Sequence, residues 1–419
     1  MQKELVAIVV GGVVNHRILI KKLKDRGYYT ILVDYLPNPP AKDIADEHVQ
    51  ISTFDIDAIR RLAIERNCSL IINACVDQVN VGIMKVAEDL GLPHPYSYET
   101  ALAIADKQQM KSIMVKGGVL TTPFLCVTSP EEVNQIQLKY PLFVKPSDGY
   151  GSNGVSKVWN EEEAKAAVKK AISVSRTGKV IVEEEAKGFE HSVYCFPQDG
   201  KANVLLIARK YTDNESSDGV VKSFGTIAPA QLSQEALRKI NETADRLVVA
   251  FGLDNVPMFL QVMVRGDEVN VIEFSARMAG GTSCRTIKIA TGFDLFDATI
   301  NAFLRVKNSI QYHYPDQLIS ISVIYAEPCI FDHLSGYEQL LATGRIREMN
   351  IARTTGAEIK RGSANGSRIG FIIHTDAAMS GLMDKIDETF QKLRVIDKEG
   401  NDRLVRRLHL TEELIITQQ

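Results

Sequence analysis

Short, continuously apolar runs alternating with helical stretches decide what residues 1–95 can fold into. Leu5–Val10 contains no polar residue and ends in Gly11-Gly12. A helical stretch follows over Ile18–Arg26 and stops at Gly27. The pattern repeats with apolar Thr30–Val33 and helical Asp57–Arg66, then with Leu70–Ala74 and helical Val79–Leu90, stopped by Gly91. Apolar runs of this length without alternation are strands buried on both faces. Strands that alternate with helices pair in parallel, with the helices on the faces of the sheet.

The same region is similar to half of a dinucleotide-binding fold. Gly11-Gly12 can approach a phosphate, and Asp34 stands about where a ribose-binding acid would. The spaced three-glycine fingerprint is absent, so a scaffold or substrate-side role is expected rather than a dinucleotide site.

Composition excludes several classes. The 419 residues carry 49 Lys+Arg and 52 Asp+Glu, a formal net charge of −3. A nucleic-acid binder needs a clustered basic excess, which this balance does not supply. Hydrophobic residues make up 45% and charged residues 24%, which excludes wholesale disorder. No run approaches the ~20 apolar residues that span a bilayer. The six cysteines form no Cys-x-x-Cys pair, and the first apolar run is too short for a signal-peptide core. Free thiols in a cytoplasmic protein are the expectation, with no membrane or nucleic-acid partner. A homodimer is the default assembly.

Three later segments carry chemistry. The first runs Tyr140-Pro-Leu-Phe-Val-Lys145-Pro-Ser-Asp-Gly149-Tyr-Gly151-Ser152-Asn153-Gly154-Val155. Its Gly-x-Gly-x-x-Gly leads into Val155–Trp159, which reads as a strand. It is therefore a hairpin tip whose free N–H groups can fold over a polyphosphate, and Lys145 places a cation beside it. The competing reading is a solvated lysine before a flexible turn. The P-loop pattern is absent.

The second segment is Val180-Ile-Val-Glu183-Glu184-Glu185-Ala186-Lys187-Gly188-Phe189-Glu190. An apolar strand ends in three carboxylates and a glycine break. Such a hinge can offer backbone groups to an adenine edge and Glu190 to ribose hydroxyls; a solvated acidic turn fits the pattern equally well.

In the third segment, Phe259–Val264 and Val269–Ser275 form a hairpin around Gly266-Asp267. Glu273 interrupts an apolar strand, and a buried carboxylate needs a partner. Alternation places Val271, Glu273 and Ser275 on one face. A three-residue loop puts Gln261 opposite Glu273, an oxygen-rich pair suited to Mg²⁺. A two-residue turn puts Gln261 opposite Ile272 instead. A buried Glu273–Arg277 ion pair is the alternative to a metal.

In order and spacing, these segments resemble the ATP-grasp superfamily over about residues 1–310, with likeness to carbamoyl-phosphate-synthase-like and amino-acid-ligase-like members. The resemblance implies a mixed α/β and α+β fold: a Rossmann-like domain (1–95), a clamp N-lobe with a glycine-rich lid (96–185), a C-lobe with the metal site (186–308) and a small α+β closing domain (309–419). It implies ATP and one or two Mg²⁺ ions, with Mn²⁺ as a substitute. Lys107, in Ala105-Asp106-Lys107-Gln-Gln-Met-Lys111 within a helix over Ala101–Lys116, matches the first phosphate lysine, and Lys145 the second. The lid matches Gly149, Gly151, Ser152, Asn153 and Gly154. Glu183 with the backbone of Glu184 and Ala186 matches the adenine hinge, and Glu190 the ribose acid. Gln261, Glu273 and Ser275 match the metal ligands. Gln261 stands where an acid is more usual and Ser275 where Asn is. Arg277 matches the arginine near the transferred phosphate.

The implied chemistry is activation of a carboxylate as an acylphosphate, which an amine then attacks. Arg285 can hold a substrate carboxylate or cap structure. Lys210 and the polar loop Tyr211–Ser223 are expected on the substrate side. Arg368, in Asn365-Gly-Ser-Arg368-Ile-Gly-Phe-Ile-Ile-His374, faintly resembles the closing domain of biotin-carboxylase-like members. A small-acid carboxylase and a nucleotide binder without turnover are the rival readings.

Overall fold

The computed structural model describes residues 5–135, 137–149, 154–213, 221–361 and 364–417. The N-terminal alternation produces a four-stranded parallel sheet, ordered Glu47–Val49, Tyr28–Val33, Leu5–Val10, Leu70–Ile72. Ile8, Val9, Leu32 and Ile72 are fully buried in it, as continuous apolar runs require. The dinucleotide end is filled by the protein itself. The Gly12 N–H donates to Asp34 Oδ2 at 2.7 Å, and a Cβ on Gly12 would stand 2.5 Å from Pro39.

A second sheet of four strands is ordered Phe124–Val127, Val180–Glu184, Leu142–Pro146, Ser156–Val158, all antiparallel. Helix Glu161–Val174 covers it through Ala164, Val168 and Ala171. The third sheet has eight antiparallel strands, ordered Glu268–Ser275, Met258–Arg265, Phe189–Cys195, Val204–Asp213, Lys222–Ala228, Leu318–Tyr325, Arg368–Asp376, Glu348–Ile351. It runs without interruption across residue 308, because Leu318–Tyr325 pairs with Lys222–Ala228. A small sheet of Glu358–Ile359, Cys329–Ser335 and Arg394–Asp397 completes the C-terminal part.

Two expectations change. The single helix over Ala101–Lys116 is two helices, Tyr98–Ala105 and Lys107–Lys116. Asp106 divides them: its backbone is extended and its side chain caps the second helix, accepting from Gln108 N at 2.8 Å and Gln109 N at 3.2 Å. Lys107 thereby becomes the first residue of a helix rather than an interior one.

The hairpin also differs. Arg265 pairs with Glu268, so its turn has two residues, Gly266 and Asp267. A β-bulge between Gln261 and Val262 then restores Gln261 opposite Glu273. The bulge breaks the alternation. Val271 turns into the core with Val269 and Phe274, while Glu273 and Ser275 stay partly exposed. Bulges of this kind re-aim side chains next to sites.

Candidate active site

The second helix after Asp106 supplies two lysines one turn apart. Lys107 Nζ donates to the Gly149 carbonyl at 2.5 Å and lies 3.8 Å from Glu273 Oε2. It thus links the glycine-rich turn to the eight-stranded sheet. Lys111 is 0% exposed; its Nζ reaches Glu183 Oε2 at 2.8 Å and Thr121 Oγ1 at 2.8 Å. Lys145 donates to the other oxygen, Glu183 Oε1, at 2.5 Å. Register sets this up: Phe143 pairs with Glu183 and Lys145 with Ile181, so the lysine stands two residues along the neighbouring strand.

Three ammonium groups therefore crowd around two carboxylates. Burial pushes the Lys107 ammonium below the usual lysine range; Glu273 offsets part of this and Lys145 adds to it. Burial acts the same way on Lys111, opposed by Glu183 and reinforced by Lys145. Burial alone would raise the Glu183 carboxyl, but Lys145 and Lys111 hold it below the carboxylate range. The cluster is short of negative charge, the condition that favours an incoming phosphate.

The hinge residues divide. The Glu183 side chain faces Lys111 and Lys145. Glu184 N donates to Pro123 O at 3.0 Å, and Ala186 is half-buried in the connection to Phe189–Cys195. Gly188 in that connection has φ +105°, and a Cβ there would stand 2.1 Å from the Val264 carbonyl. Only glycine allows the chain to cross the hairpin so closely. Glu190 is bound by Lys210 Nζ at 3.0 and 2.9 Å. Gly154 has φ +75°, whereas Gly151, Ser152 and Asn153 lie outside the described residues, as do residues 214–220 of the polar loop.

At the position where the sequence places a metal, Ser192, Gln261 and Glu273 lie in one cross-strand row. The Gln261 amide and the Glu273 carboxylate offer adjacent hard oxygen donors, which fit Mg²⁺ when phosphates supply the remaining ligands. Among the described residues no group of three or more His, Cys, Asp or Glu gathers as a metal cluster.

Ser275 and Arg277 both bind one carboxylate that the sequence did not point to. Ser275 Oγ donates to Asp77 Oδ1 at 2.7 Å. Arg277 grips both oxygens of the same carboxylate, through Nε at 2.7 Å and through its terminal nitrogen, and donates to Met278 O at 2.7 Å. Arg277 thus pairs with Asp77 of the N-terminal domain, not with Glu273. Burial would lower the guanidinium and raise the carboxyl, and their mutual attraction overrides both. A small cavity of about 40 Å³, lined by Asp77, Tyr96, Lys107, Glu273 and Ser275, marks where the N-terminal domain meets the clamp.

Arg285 sits elsewhere. It reaches Glu348 Oε2 at 3.4 Å and lines a separate open cleft of about 510 Å³ with Ile18, Lys288 and Arg347.

Sequence reasoning passed over Lys111 and Asp77. The i,i+4 spacing from Lys107 places Lys111 on the same helix face. Asp77 follows the parallel strand Leu70–Ile72 at its carboxyl end, where α/β sheets bind ligands.

Residues 138–286 match the model of the ATP-grasp domain. The N-terminal section of the carbamoyl phosphate synthase large chain of Methanopyrus kandleri is 24% identical over 291 residues, 66% of this chain and 50% of that protein. The D-alanine–D-alanine ligase of Flavobacterium johnsoniae is 30% identical over 175 residues, 39% of this chain and 53% of that protein. The chain thus spans about half the length of these two relatives. The L-amino acid ligase structure from Bacillus licheniformis superposes with a TM-score of 0.77 at 20% identity, over 95% of this chain and 100% of that one. That last likeness concerns the fold.

Proposed function

The chain carries an ATP-grasp domain, and from that premise we propose that it is an ATP-dependent carboxylate–amine ligase. The observation that carries the reading is the buried set of Lys107, Lys111 and Lys145 around Glu183, facing Glu273 across the Gly149 turn.

Phosphoryl transfer depends on positioning and charge neutralisation more than on a strong base. Lys107 spans the glycine-rich turn and the eight-stranded sheet, so it can follow phosphates held between them. Lys111 and Lys145 supply charge from beneath. Gln261 and Glu273 would hold Mg²⁺, which when bound neutralises phosphate oxygens. Arg277, fixed by Asp77, presents a guanidinium beside the reacting end. The γ-phosphoryl passes from ATP to the substrate carboxylate, leaving ADP. The amine then forms the amide bond and expels phosphate. Enclosure matters because water would hydrolyse the acylphosphate.

On this reading residues 1–95 are a scaffold that contributes Asp77, 96–185 and 186–308 are the two lobes, and 309–419 close the substrate side. Lys210 and Glu190 line the nucleotide-to-substrate wall. Among the described residues no helix is long and apolar enough to cross a membrane; with six free thiols, a cytoplasmic setting is proposed.

Phosphate release from ATP, screened across pairs of carboxylates and amines, tests the reading. Release that needs both partners supports it. Release with bicarbonate alone assigns the chain to a small-acid class, and nucleotide binding without release under any pair removes ligase function.

A further inference from the structure

Among the cations on the cleft face, Arg368 stands apart. The register of the eight-stranded sheet carries one face from Glu273 through Gln261 and Ser192 to Ala208, and two residues along that strand lies Lys210. From Lys210 the row continues through Thr226 to Ile321. Alternation along that strand places Val323 on the same face, paired with Phe371, and a β-bulge before Tyr325 interrupts the alternation where Tyr325 pairs with Arg368. Contact with the Phe371 ring keeps the Arg368 guanidinium on the face shared with Glu273 and Lys210.

The sheet also curls back on itself. A Cβ on Gly281 would stand 3.3 Å from Phe371 Cζ, so the seventh strand returns to the loop that follows the first. Gly281 is four residues beyond Arg277, a chain span of at most about 14 Å. Phe371 thus joins Arg368, whose guanidinium lies over its ring, to the loop that begins at Arg277.

The surroundings of Arg368 are apolar. Its guanidinium lies 4.9 Å from the Phe371 ring centroid. Phe371 belongs to a separate cluster with Phe224, Val323, Tyr325, Val405 and Leu408. Among the described residues Arg368 pairs with no carboxylate. The charges that act on it are Tyr325 and a second cation, Arg353, and burial and Arg353 both work against its charge. A half-buried guanidinium without an anion is costly unless a ligand supplies one. Its planar fork suits a carboxylate.

We propose that Arg368 binds the free carboxylate of the amine substrate, which is an amino acid whose apolar side chain rests on Phe224 and Phe371. The proposal deepens the ligase reading and rests on it. The phosphate end of the cleft is set by Lys107 and Glu273, so a carboxylate held at Arg368 is the one left unactivated. Its amine reaches back towards Arg277.

The test is calorimetric binding of leucine, phenylalanine, leucinamide and isoamylamine to the full chain, preloaded with a non-hydrolysable ATP analogue. Wild type should bind leucine or phenylalanine and reject the amide and the amine at least tenfold. Arg368→Met should lose at least 30-fold in amino-acid affinity with nucleotide affinity unchanged, and Arg368→Lys should fall between. If Arg368→Met is poorly folded by melting, Arg368→Lys carries the comparison alone. Equal binding of leucine and isoamylamine, no binding of either amino acid, or variants that bind like wild type would overturn the proposal. Failure of the ligase reading shows separately, as absence of phosphate release from every pair while amino-acid binding persists.

Discussion

The two ends of the cleft hold their positive charge in opposite ways. At the N-lobe end, Lys111 and Lys145 share one carboxylate, Glu183, and Lys107 stands 3.8 Å from Glu273. At the end contributed by the N-terminal domain, Arg277 is matched one-to-one and bidentately by Asp77, with Ser275 on the same oxygen. The first arrangement leaves a deficit of negative charge that a ligand can fill. The second is already satisfied, so it fixes geometry instead. A cation's function is thus set by what else is paired with it, and lysine and arginine are used accordingly. The compact ammonium is left hungry, whereas the forked guanidinium is locked.

The largest effect should come where the two ends meet. Glu273 is 41% exposed at its side chain, so truncating it leaves little strain. Glu273→Ala should lower kcat by roughly 10³-fold or more, on the scale of losing a key electrostatic group, with a melting temperature near wild type. Unchanged turnover would remove Glu273 from the metal position and leave Lys107 without a role there.

The next pair of variants separates the two ends directly. Glu183→Gln leaves two buried lysines without a counter-charge and should destabilise the free protein by about 3–5 kcal/mol. Nucleotide phosphates can partly replace the lost charge, so ATP should raise the melting temperature of this variant more than that of wild type. Asp77→Asn also unpairs a buried cation, yet its nucleotide-induced shift should match wild type while kcat drops by about 10²-fold. Identical thermal shifts in both variants would break the contrast.

The same contrast predicts a pH dependence. Burial places Lys107 and Lys111 below their ordinary value of 10.5. Below the lowered values both carry charge and attract phosphate. As pH rises through them the lysines lose protons, so nucleotide affinity should fall before the ordinary lysine range is reached, by up to about tenfold per pH unit for each lysine. Binding in that window should take up protons, because phosphate raises both pKa values. Stability of the free protein should move the other way. The unfolded chain keeps these protons up to the ordinary value, so unfolding binds protons and the fold gains stability as pH rises. Calorimetry in buffers of different ionisation enthalpy measures the first effect and thermal melts the second. Proton release on nucleotide binding would contradict the charge deficit.

Which parts of this were legible in the sequence follows from the range of the forces involved. Apolar runs announce strands because burial acts on each residue in place, and Leu5–Val10 and the run from Val180 to Glu184 both appear where the pattern puts them. Lys145 and Glu273 stood out because a charge inside an apolar strand demands a partner. The partners themselves were not legible. Asp77 and Arg277 are 200 residues apart, and nothing local to either marks the other. Ser275 likewise gave no local sign of its hydrogen bond to Asp77. The bulge at the hairpin was invisible for a different reason: turn length and register are coupled, and a one-residue irregularity cancels a one-residue error. The sheet's curl, which brings Phe371 to Gly281, is a property of eight strands together.

The smallest effect concerns Gln261, the one position at the metal site where a neutral donor stands opposite the carboxylate. Ca²⁺ and Mg²⁺ sites tune affinity through the number of charged ligands. Gln261→Glu adds a second carboxylate in the same cross-strand position and should tighten Mg²⁺ by roughly tenfold, read from the Mg²⁺ dependence of nucleotide binding. It also adds negative charge beside the Glu273 carboxylate that Lys107 faces at 3.8 Å. The deficit that draws phosphate shrinks, so affinity for metal-free nucleotide should fall at the same time. Tighter metal with weaker bare nucleotide would show that this end works by unmet positive charge. If both affinities rise together, Gln261 does not face the lysines' field, and the oxygen pair across the bulge is a structural contact of the ribbon alone.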